Sequence, residues 1–134
     1  MLILQKGEVS IEFVILIGIM LVIFTSMITV IGLKNNDITQ SMIYSDAQRI
    51  ADSVASEINT ASRISGYYRK FEIPAKIAGI ENYSVNYSTE LRFVQVKWGN
   101  NNEMSNIVTD NVSGTINPGI NRIRNEGGMV IIES

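Results

Sequence analysis

The chain of 134 residues contains no cysteine and no histidine. Without cysteine there is no disulfide, no thiolate nucleophile and no cysteine-ligated metal, and thiol usage says nothing about the redox compartment. Without histidine the commonest general base and the commonest zinc ligand are gone as well. Neither sign of charge dominates: 11 basic against 13 acidic side chains leave a net charge of −2. That balance offers no clustered basic face and argues against nucleic acid as a partner. No phosphate loop, nucleophile elbow or metal-ligand spacing occurs, and Asp46 and Glu57 fit a solvated helix face better than an acid–base pair. The acidic side chains Glu103 and Asp110 sit in no calcium-loop pattern. These absences point to a protein that is not an enzyme and that holds no metal and no cofactor.

Charge is also missing from one long stretch. In the first 33 residues the only ionisable side chains are Lys6, Glu8 and Glu12. Phe13 to Leu33 reads FVILIGIMLVIFTSMITVIGL, with Thr25, Ser26 and Thr29 as its polar members. About 20 apolar helical residues cross bilayer hydrocarbon, so the run is long enough to span it. A chain this short cannot wrap an all-apolar helix on every side, which argues against a buried core helix. A cleavable secretory signal has an apolar region of only about 7–15 residues and ends at a small-x-small site, which does not follow here. Lys6 and Lys34 flank the run at either end, so positive charge gives little orientation. Gly18 and Gly32 lower helix propensity and permit close helix packing or local melting, but they do not form a G-x-x-x-G pair.

After Asn35, Asn36 and Asp37, a kink or re-capping point, the helical period resumes. Ile43, Ala47, Ile50, Val54, Ile58 and Ala61 recur at steps of three or four, with Asp46, Arg49, Asp52 and Glu57 on the other faces. From Gly66 the pattern changes to short β-branched and aromatic runs: Tyr67–Ile73, Tyr83–Ser88, Leu91–Trp98, Ile120–Arg124 and Met129–Glu133. Gly99–Asn102 and Asn117-Pro118-Gly119 punctuate them, and Asn125-Glu126-Gly127-Gly128 reads as a hairpin loop. The expected fold is α+β, a long N-terminal helix whose amphipathic half packs on a small antiparallel sheet of four to six strands. About 70 residues of strand have too little core alone, and the helix stripe supplies the other wall.

The stretch K-G-E-V-S-I-E-F at residues 6–13, joined to that run, resembles the N-terminus of an archaeal type IV pilin with a class III signal peptide. The resemblance is specific over about 30 residues and looser over the rest, where F-E-I-P-A-K-I-A-G and N-P-G-I-N-R-I look pilin-like; archaellins are the nearer alternative. It implies cutting by a prepilin peptidase between Gly7 and Glu8, beside Lys6. Residues 1–7 are then the leader, 8–33 the membrane and filament-core helix, 34–65 the amphipathic half and 66–134 an extracellular head. Ser10 and Glu12 become the third and fifth residues of the mature chain, matching the family signature. The first position departs, with Glu8 where one archaeal branch usually has glutamine. The partners implied are other copies of the chain, the prepilin peptidase, the membrane platform and ATPase of pilus assembly, and lipid before assembly.

A lone carboxylate in hydrocarbon costs a few kcal/mol unless it is paired or neutralised. Glu12 sits near the headgroups while the helix is in a bilayer, but becomes buried when such helices bundle. The new α-amino group of Glu8 is the expected counter-charge, on this or a neighbouring copy; the family favours the neighbour. A misregistered copy then leaves a buried charge unpaired at roughly 3–5 kcal/mol.

Three N-x-S sequons begin at Asn82, Asn86 and Asn111, and a head outside the cell makes them candidates for glycosylation. With 13 asparagines and 20 serines and threonines, about two sequons arise by chance. The tyrosines of the head and Trp98 read as packing residues rather than a ligand platform. Two functions fit: a structural subunit of an adhesive surface filament, or a single-span membrane protein with a binding ectodomain that does not polymerise.

Overall fold

Three poor helix formers in a row, Asn35-Asn36-Asp37, do not interrupt the first element: α1 runs unbroken from Leu2 to Arg63. Each costs at most about 0.7 kcal/mol against alanine and none removes a backbone N–H, so the hydrogen-bond ladder carries through the expected kink. The computed structural model describes the backbone from Leu2 and side chains from Ser10 to Ser134. It divides into two compact units, Met1–Gln40 and Ser41–Ser134. The helix ends where Gly66 takes a positive φ of 73° and Tyr67 N–H donates to the Ile64 carbonyl at 3.2 Å.

Seven strands follow: β1 (Tyr68–Ile73), β2 (Ser84–Ser88), β3 (Phe93–Trp98), β4 (Asn101–Asn106), β5 (Val112–Gly114), β6 (Gly119–Glu126) and β7 (Met129–Glu133). They form two sheets rather than one, in the orders β1-β6-β7-β5 and β2-β3-β4. Every pairing is antiparallel except β5 with β7, which is parallel. The fold is α+β, as the patterning implies, but with more strands than expected. β4 reads NNEMSN, a composition depleted in strands, and Asn101 and Asn102 look like turn residues. Pairing of Trp98 with Asn101 through Phe93 with Asn106 overrides that propensity. The Gly99-Asn100 turn has Gly99 at φ 52°, the position that favours glycine in a tight hairpin. The expected Gly127-Gly128 turn closes β6 on β7 with both glycines at positive φ.

The helix stripe forms one wall of the core. Ile43, Ala47, Ile50, Val54, Ile58 and Ala61 are all buried, and Ala51 and Ala55 widen the face. They pack in one cluster with Ile73, Val85, Val94, Ile123 and Ile132 from both sheets. The alanines at 47, 51, 55 and 61 are all 2% exposed or less. Tyr44 meets Trp98 edge to face with ring centroids 5.1 Å apart.

Two buried asparagines fix geometry that apolar contacts leave free. Asn125 Nδ2 donates to the Ala61 carbonyl at 2.7 Å, and its Oδ1 accepts from Gly128 N–H at 2.9 Å. One side chain thus ties the last turn of α1 to the β6–β7 turn, satisfying a carbonyl with no intrahelical partner. Asn121 does the same inside the Asn117-Pro118-Gly119 turn, bonding Asn117 N–H and the Asn117 and Gly119 carbonyls.

The short β5 depends on Gly114. It sits at φ 109°, and a Cβ there would lie 1.9 Å from the Ile132 carbonyl oxygen. Two stability outcomes follow from these contacts, both read from denaturant unfolding in detergent with buried Trp98 as the reporter. Asn125→Ala should cost roughly 2–4 kcal/mol by orphaning two backbone groups, and Asn125→Asp more, since it sets an anion against a helix C-terminal carbonyl. Gly114→Ala should cost roughly 3 kcal/mol or more, and an unchanged midpoint would refute the close β5–β7 approach.

Candidate assembly surface

In the unit Met1–Gln40 the helix is bare. Every described side chain from Ser10 to Gln40 is exposed, and the large apolar ones from Ile11 to Leu33 show between 42% and 66% of their surface. The helix is long and apolar enough to cross a membrane. Soluble monomers rarely expose apolar patches beyond a few hundred Å², so this surface requires lipid or protein around it.

The three hydroxyls in the run are already satisfied. Thr25 Oγ1 donates to the Leu21 carbonyl at 2.7 Å, Ser26 Oγ to Val22 at 2.8 Å and Thr29 Oγ1 to Thr25 at 2.9 Å. Each donor is tied one turn back, so none is orphaned when water leaves. Ser10 and Glu12 are exposed at the start of this surface. Lys6, Gly7 and Glu8 lie outside the described side chains, so the cleavage site and the Glu8 amine have no described geometry.

The head offers little chemistry of its own. Glu57 is largely buried rather than solvated: it accepts from Tyr67 Oη at 3.0 Å and pairs with Arg69 at 2.9 Å. Hydrogen bonding by Tyr67 and then the Glu57 charge hold the Arg69 guanidinium protonated more firmly than usual. That carboxylate is consumed by structure. Asp46 pairs with Arg49 on the exposed helix face. Among the described residues no acidic cluster suits a metal ion.

All three sequon asparagines are exposed. Asn82 precedes β2 and Asn86 lies within it, on an outer strand of the three-stranded sheet. Asn111 precedes β5, and its Nδ2 donates to the Gly128 carbonyl at 3.1 Å. Tyr67, Tyr83 and Tyr87 pack against the core, whereas Tyr68 is exposed. Tyr87 Oη donates to the Gly114 carbonyl at 2.8 Å, stitching one sheet to the other, and Tyr83 Oη donates to the Pro74 carbonyl. What sequence patterning missed are Asn121 and Asn125, whose burial no local signal announces.

Compared with protein-family models, with curated proteins and with solved structures, the chain has no match. Its role has to be read from its own surface.

Burial pushes the Tyr83 and Tyr87 hydroxyls above the ordinary tyrosine range. A raised folded value means the stabilisation is fully present below pH of about 10 and is lost as pH rises through the folded value. The unfolding midpoint should therefore fall in alkali. A double variant, Tyr83→Phe with Tyr87→Phe, should be less stable at neutral pH but lose less on titration. An equal alkaline loss in that variant would discard the assignment.

Proposed function

We propose that the chain is the structural subunit of an extracellular archaeal type IV pilus-like filament. It is cut after Gly7 and polymerises through its N-terminal helix for surface attachment. The observation that carries this reading is the bare apolar helix beginning at Glu12, on a chain whose head already has a closed core. The head needs no covering partner, whereas the helix does. The membrane covers it first, and copies of the same helix cover it afterwards.

Glu12 then acts as a register device. In a bundle of stems its carboxylate pairs with the amine that cleavage creates at Glu8 of a neighbour. A shifted neighbour leaves both charges buried and unpaired, which disfavours the wrong stacking. The exposed sequons at Asn82, Asn86 and Asn111 suit a glycosylated head outside the cell.

Protein recovered from its native cell surface should begin at Glu8 by mass spectrometry. An intact Met1, with the chain retained in the membrane, would leave the single-span binding protein as the surviving reading. Gly7→Val should leave the uncut precursor in the membrane. Glu12→Leu should keep a folded head, reported by Trp98 fluorescence, while surface filaments fall by at least about tenfold. Normal filament yield in that variant would remove the register role.

A further inference from the structure

Exposure alone does not distinguish the three sequons, but strand geometry does. Residues 82–88 read N-Y-S-V-N-Y-S, two sequons joined through Val85. Successive side chains of a strand alternate between its faces, so Ser84, Asn86 and Ser88 of β2 share one face. Asn82, two residues before the strand, is exposed as well. The residues between them are anchored inward: Val85 is 2% exposed, and Tyr83 and Tyr87 pack against the core. Both tyrosine hydroxyls are fastened too, Tyr83 to the Pro74 carbonyl and Tyr87 to the Gly114 carbonyl. The core therefore holds Asn86 outward, with its sequon hydroxyl, Ser88, on the same face.

The surroundings differ as well. β2 is an edge strand of its sheet, so no strand of that sheet flanks it on one side. Across the sheet Asn86 stands opposite Gln95, and Gln95 opposite Met104. Of the described residues on this outer face Lys97 alone is ionisable. The outer face of the other sheet carries Lys70, Glu72, Arg122, Arg124 and Glu133. A face of amides and hydroxyls matches the hydrogen-bonding groups of a sugar without burying charge. Met104 is 46% exposed and lies about 10 Å from Asn86 across two strand spacings, within reach of a short glycan. Asn111 is placed otherwise. Its Nδ2 donates to the Gly128 carbonyl at 3.1 Å, and its own carbonyl accepts from Val130 N–H at 3.0 Å. A sugar on that nitrogen replaces one of its two protons and sets a ring beside the β6–β7 turn that it ties down.

We propose that the β2 edge, through the Asn82 and Asn86 row, is where the head carries N-linked glycan, and that Asn111 is a structural asparagine left unmodified. This rests on the head lying outside the cell, as the filament reading has it, and narrows the modification to one edge. In the transfer, asparagine Nδ2 forms a bond to the anomeric carbon of a glycosyl phosphate carried on a lipid. The bond from that carbon to the phosphate oxygen breaks, the lipid phosphate leaves with the electron pair, and Nδ2 gives up one proton. No oxidant or reductant takes part.

Peptide and intact-mass spectrometry of the chain recovered from its native cells tests this. Sugar on Asn82, Asn86 or both is expected, with the peptide that contains Asn111 bare. Sugar on Asn111, or a row bare at both positions, overturns the proposal. Ser84→Ala with Ser88→Ala should remove all the sugar mass, and Asn82→Gln with Asn86→Gln repeats the test should the serine variant fail to fold. Ser113→Ala ends the third sequon but keeps the Asn111–Gly128 hydrogen bond, so its sugar mass should equal that of the unaltered chain. A loss of sugar in that variant also overturns the proposal. Asn111→Ala should likewise keep the sugar mass while its unfolding midpoint falls, because the Gly128 carbonyl loses its donor. The same spectra read the first residue, so an intact Met1, which defeats the filament reading, is told apart from a bare β2 edge on a chain that begins at Glu8.

Discussion

The head closes only because one face of the helix, Ile43 to Ala61, is part of its core. Its seven strands are short, three to eight residues each, and lie in two sheets whose buried residues join the helix stripe in one cluster. Strands of that length bury little apolar surface alone. With the helix stripe in place, Ile123 and Ile132 of one sheet and Val94 and Val96 of the other are excluded from water around it. The asparagine ties come second: Asn125 locks the turn of one sheet to the helix end. Asn59 does the same for the other sheet, its Oδ1 accepting from Val108 N–H at 2.7 Å beyond β4.

The same helix is used in two physically different ways. From residue 43 its apolar positions are restricted to a stripe, because strands cover only one side. Before Leu33 apolar residues surround it, because its final environment must cover every side. Such a surface fits lipid and a bundle of like helices equally well by hydropathy. Under the filament reading proposed above, the carboxylate at Glu12 is what distinguishes the two, because a neighbouring copy offers it a counter-charge.

Much of the architecture was legible beforehand. The six apolar stripe positions predicted on the helix are all buried, and the five predicted strands all exist within a few residues of their expected ends. The strands that escaped detection, β4 and β5, have residues that strands disfavour or are three residues long. Their backbone pairing is dictated by neighbours distant in sequence, which no local pattern records. At Asn35–Asp37, the expected kink or re-capping point, the helix runs on without a gap. Propensity is a weak local term, and an unbroken ladder on both sides outweighs it.

The sequence alone therefore determined where the apolar run lies, its lack of charge, the carboxylate at its lip and the switch from an all-round to a one-sided apolar helix. Those are properties of order and composition, and no fold is needed to read them. Only the tertiary structure decided that the head splits into two sheets, that Glu57 is held by Tyr67 and Arg69, that Gly114 admits no side chain, and that two asparagines are buried. Each of these depends on which side chains and backbone groups are brought together from distant segments, and that is settled only when those segments meet.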